Sequence, residues 1–145
     1  MLRRPDDTLF ATGRAGYLDT DPGAPAQSAR INISVEFDGL PVLALVDTGA
    51  VWSIIDRDVA EQLGLHDREG EEITIHSRLG RTAGKLVRVA TTLIAEEGDS
   101  VALEATVFVS RDWTAGTFVG YSGLLERVTF GVEPSTRMIY YGAQA

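Results

Sequence analysis

Leu40-Pro41-Val42-Leu43-Ala44-Leu45-Val46-Asp47-Thr48-Gly49-Ala50 is the stretch on which the reading of this chain turns. Its first seven residues are apolar without interruption, the pattern of a strand buried on both faces. The run then meets an acid. A carboxylate at the end of a buried strand is costly unless it is paired or hydrogen-bonded. Gly49 permits a sharp turn just after it, and Thr48 sets a hydroxyl beside it. A catalytic aspartate would be placed in this way at the mouth of a cleft. Asp, Thr and Gly are also common turn residues, but Ser53-Ile54-Ile55 and a helical stretch follow, so the tripeptide does not sit in a surface loop.

Working outward, Ile31-Asn32-Ile33-Ser34-Val35-Glu36-Phe37 alternates apolar and polar, the period of a half-buried strand. Asp38-Gly39 is a hairpin turn pair joining it to residues 40–46. Downstream, residues 57–63 predict a short helix, with Val59, Ala60 and Leu63 at helical spacing and Gly64 at the stop. Asp56 and Asp58 lie at its start, where negative charge is favourable. Residues 73–76 and 85–95 predict two strands flanking residues 77–84, a long hairpin with a mobile tip. A turn at 96–99, a strand at 101–109, a small helix at 122–127 and closing strands at 128–132 and 137–141 complete the pattern. Many short strands and one or two short helices give a mainly β, barrel-like domain over residues 30–145. Residues 1–29, rich in glycine, proline and small polar residues, read as a flexible arm or pro-segment, with a short edge strand at residues 9–11 compatible with it.

Composition narrows the function. The chain of 145 residues has no cysteine, which excludes disulfides, thiol catalysis and Cys-ligated zinc. His66 and His76 are too few and too far apart to predict a metal, and no cofactor is implied. A net charge of −8 argues against nucleic acid. The absence of a long apolar run argues against a membrane partner, and with no secretory signal the expected location is cytoplasmic.

The strand leading into Asp47-Thr48-Gly49-Ala50, the second apolar strand, the helix, the glycine-bearing hairpin and Phe118-Val119-Gly120 followed by Leu124-Leu125 together resemble the retropepsin-like aspartic proteases. The resemblance spans residues 30 to about 141. It implies a retropepsin-like barrel that is one protomer of a symmetric homodimer, because a single Asp-Thr-Gly occurs in the chain. Asp47 and its symmetry mate Asp47′ would then form the catalytic dyad of an endopeptidase acting on a peptide or protein substrate. Thr48 would hydrogen-bond across the interface, Gly49 would receive substrate backbone, and residues 77–84 would close as a flap. Ala50, Trp52, Ser77, Leu79 and Gly80 would contact substrate.

The chain also departs from the family pattern. Val51 and Trp52 follow Ala50 where many relatives carry a small polar residue, and Trp52 is either a subsite wall or a core or interface anchor. Arg78 and Arg81 stand in a hairpin that is apolar and glycine-rich in retroviral relatives. The N-terminal arm is long and is a self-cleaved pro-segment, an interface strand or a disordered tail. The alternative function is a catalytically silent dimerisation or peptide-binding module of the same fold.

Overall fold

The alternating residues and the apolar run after them form the antiparallel pair at the centre of the fold. The computed structural model describes residues 1–20 and 29–144. In chain order the strands begin with β1 (Leu2–Arg3), β2 (Leu9–Ala11), β3 (Gly13–Gly16), β4 (Leu18–Thr20), β5 (Ala29–Phe37), β6 (Leu40–Val46) and β7 (Ser53–Ile54). The helix α1 (Arg57–Gln62) follows, then β8 (Glu71–Ser77), β9 (Gly80–Leu93), β10 (Glu97–Gly98), β11 (Val101–Val109) and β12 (Phe118–Val119). The chain closes with β13 (Val128–Glu133) and β14 (Met138–Ala143). One eight-stranded sheet runs β4-β5-β6-β12-β7-β11-β9-β8, and β5 also pairs with β9, curling the sheet on itself. A four-stranded sheet runs β10-β3-β14-β13. No helix among the described residues is long and apolar enough to cross a membrane.

Val35, Phe37, Ile55, Leu65, Leu93, Leu124 and Ile139 are fully buried in the main core between the sheets. Alternation explains why β5 supplies three of its members, since Ile33, Val35 and Phe37 share one face. A second cluster lies under the hairpin: Ile54, Leu86, Phe108 and Trp113, with Trp52, Ile73, Ile75 and Phe118 packed against it. Trp113 and Phe118 meet edge to face at 5.9 Å between ring centroids. The helix begins as the acids predict, with the Asp56 carboxylate accepting the Asp58 N–H at 3.0 Å.

Several elements differ from expectation. Strand β6 is not buried on both faces; Ala44 is buried while Leu43 is exposed, because β6 covers the core with one face only. Residues 122–127 form no α-helix, only a 3-10 turn at Leu125–Arg127, since Leu124 enters with extended φ and Val128 is already extended. The hairpin between β8 and β9 is longer than expected: Ser77 pairs with Gly80, so only Arg78 and Leu79 form the turn.

Residues 2–20, expected in a flexible arm, form four short strands. Strand β3 pairs with β14 through Gly13–Tyr141 to Gly16–Met138, and β4 pairs with β5. The small residues that read as linker are what this packing needs. A Cβ on Gly13 would lie 2.1 Å from the Asp99 carbonyl oxygen, and Ala11, Ala15 and Tyr17 are buried. The rest of the expected arm, residues 21–28, lies outside the described residues.

Candidate active site

Strand β6 delivers Asp47 to a crossing of three chain segments. Strand β12 lies parallel to β6, with Phe118 beside Leu45 and Val119 beside Val46, and antiparallel to β7 at Ile54. The ladder ends on the aspartate itself: the Asp47 N–H donates to the Val119 carbonyl at 2.9 Å. The loop then folds back on its own carboxylate. The Gly49 N–H donates to Asp47 Oδ1 at 3.0 Å, and the Ala50 N–H to the Asp47 carbonyl at 3.1 Å. A carboxylate so held has one oxygen committed to a backbone amide and one left for other work. Asp47 is half-buried and Thr48 and Gly49 are exposed, so the acid sits at the surface of this protomer rather than in its core.

The segment after β12 locks the far side of the loop. Tyr121 N–H donates to the Ala50 carbonyl at 2.9 Å and Ser122 N–H to the Val51 carbonyl at 2.7 Å. Buried Ser53 accepts the Gly120 N–H on its hydroxyl at 2.9 Å. Gly120 runs so close to the loop that a Cβ there would lie 2.4 Å from the Trp52 carbonyl oxygen. Two sequence segments some seventy residues apart thus build one rigid corner.

Within residues 33–110, this arrangement of strand, acidic loop, helix and hairpin matches the family model described as aspartyl protease. The chain belongs to the aspartyl protease family. Among solved structures it is similar to a retropepsin-like aspartic protease from Rickettsia conorii, with a TM-score of 0.56 at 16% identity, over 92% of this chain and 94% of that one. EIAV protease complexed with the inhibitor HBY-793 aligns at 17% identity over 71% of this chain and 92% of that one, with a TM-score of 0.48. No curated protein matches. The fold of this aspartyl protease family member is therefore retropepsin-like and mainly β.

Of the residues singled out from the sequence, Asp47, Thr48, Gly49 and Ala50 fall together in one loop, with Phe118, Val119 and Gly120 beside them. Trp52 packs against the second apolar cluster, as do Ile73 and Ile75 of the hairpin, so loop and hairpin share one footing. Ser77, Leu79 and Gly80 lie at the exposed hairpin tip, joined to that footing through β8 and β9. Ser53 and Thr117 were missed by sequence reading. Thr117 accepts the Leu45 N–H on its carbonyl at 3.0 Å and the Asp56 N–H on its hydroxyl at 3.1 Å. The only signal for either is a small hydroxyl residue beside an apolar pair. Among the described residues no cluster of His, Asp and Glu could hold a metal ion.

Proposed function

We propose that this chain is an aspartic endopeptidase whose working form is a homodimer, with Asp47 and Asp47′ as the catalytic dyad. The observation that carries this reading is the bond from Asp47 N–H to the Val119 carbonyl, which fixes the acid at a surface corner while its other carboxylate oxygen has no partner among the described residues. A lone surface carboxylate hydrolyses nothing. Two brought close across a two-fold axis cannot both ionise, so they share a proton. The ionised member takes a proton from water as it attacks the peptide carbonyl, and the protonated member donates to the carbonyl oxygen. Exposed Thr48 would bond across the axis. Exposed Gly49 would receive substrate backbone, and Ala50 and Trp52 would contact the bound peptide. The β8–β9 hairpin closes as the flap, with Ser77, Leu79 and Gly80 over the bound peptide, excluding water.

The test is cleavage of a diverse peptide library between acidic and neutral pH by wild type and Asp47→Asn, with sedimentation to measure dimerisation. Wild type is expected to dimerise and to cleave best below neutral pH, and the variant to lose cleavage. Equal activity in Asp47→Asn would refute the mechanism.

A further inference from the structure

In this acidic chain nearly every cation is engaged. Seven arginines reach a carboxylate. Arg4, Arg127 and Lys85 donate to backbone carbonyls, and Arg30 is engaged as well. Of the 13 lysines and arginines, the two that have no partner among the described residues are Arg78 and Arg81. Both lie at the tip of the β8–β9 hairpin. Arg78 is in the two-residue turn, and Arg81 stands directly across from His76. Exposed Leu79 lies between them, its N–H held by the Ser77 hydroxyl at 3.1 Å, which fixes the turn. The hairpin's own acids, Glu71 and Glu72, are at its other end, opposite Leu86 and Lys85. Glu72 is four residues from His76, about 13 Å along an extended strand, too far to neutralise the tip.

We propose that Arg78 and Arg81 form a carboxylate-recognition site, which selects extended peptides carrying Asp or Glu next to the segment lying under the hairpin. This rests on the protease reading above and adds a substrate class to it. A guanidinium offers a planar fork of donors that matches a carboxylate in geometry as well as charge. The strand period sets where that carboxylate comes from. Ile73, Ile75, Ser77 and Gly80 share one hairpin face, and the first two pack toward Trp52 and its cluster. His76 and Arg81 share the opposite face. The recognised acid therefore belongs to a residue emerging past the tip, not to one seated on the apolar floor. The net charge of −8 disfavours acidic peptides on the molecule as a whole. A preference for them therefore calls for a local cationic site, which Arg78 and Arg81 supply at the tip.

The experiment separates this from catalysis by using the Asp47→Asn protein, which does not consume the probe. A fluorescent extended nonapeptide with Glu at alternate positions and its Gln counterpart are titrated at low salt. The Glu peptide is expected to bind about ten-fold more tightly, as one or two charge-assisted bonds imply. Adding salt should shrink that ratio, Arg78→Ala/Arg81→Ala should abolish it, and Arg78→Glu/Arg81→Glu should invert it. Equal binding of the two peptides, or a Glu preference that survives in the double-alanine variant, overturns the proposal. Neither result touches the protease reading, which fails on Asp47→Asn cleavage instead.

Discussion

Replacing Gly120 by alanine places one methyl group where the fold leaves no room. The new Cβ would lie 2.4 Å from the Trp52 carbonyl oxygen, 2.5 Å from its carbon and 2.8 Å from the Ser53 nitrogen. All three are backbone atoms of Trp52 and Ser53, where the chain leaves the Asp47 loop for β7, so none can rotate aside, and normal contact requires a shift of about 1 Å. Overpacking of this kind costs about 1–3 kcal/mol. At roughly 3–4 °C per kcal/mol for a chain of this size, Tm should fall by about 3–12 °C. The damage to function should exceed the damage to stability. Gly120 is the residue after Val119, whose carbonyl holds the Asp47 N–H, and its own N–H is held by Ser53. A 1 Å displacement of a catalytic group costs on the order of 100-fold in rate. The assay is peptide cleavage by Gly120→Ala at a temperature where thermal melting shows it fully folded. Wild-type Tm together with wild-type turnover would refute the idea that this corner is closely packed and positions the acid.

The Tyr141 hydroxyl is buried with no hydrogen-bond partner among the described residues, and burial pushes its pKa up; Tyr141→Phe should raise stability by about 1 kcal/mol in urea or thermal denaturation, and a loss would reveal a hidden partner. Deleting residues 1–20 strips β14 of its β3 partner and uncovers Tyr141 and Ile139, so circular dichroism should show loss of cooperative melting; a folded, more active product would show instead that the segment is inhibitory. The Asp6 carboxyl is held below its ordinary 3.8 by the Thr8 hydroxyl and N–H. Its contribution to the N-terminal turn is therefore present above pH about 4 and lost as pH falls through the lowered value, which NMR titration of the Thr8 amide should report.

Much of this architecture was legible because local pattern and burial agree. The alternation at 31–37, the Asp38-Gly39 turn and the Asp56 cap each act within a few residues, and each is in place. The loop at Asp47 was legible because an acid after an apolar run has few cheap explanations. What could not be read depends on distant partners. Gly13 and Ala15 look like linker until β14 and Asp99 approach them. Ser53 looks like any small polar residue until Gly120 arrives from across the chain. Residues 122–127 carry a helical composition, but the bonds from Tyr121 and Ser122 to the Asp47 loop hold that stretch extended before a helix can start. Leu43 reads as core because the strand period reports two possible faces and not which one is covered.

The pairing of β3 with β14 also has a consequence in time. Residues 13–16 are made early and stay without their partner until residues 138–141 are made. Contacts of such long sequence separation form late and slowly. The main core, with Ile139 and Tyr141 among its members, cannot be sealed before that moment. A chain assembled in this order completes its main core last, only once nearly all of its residues are present.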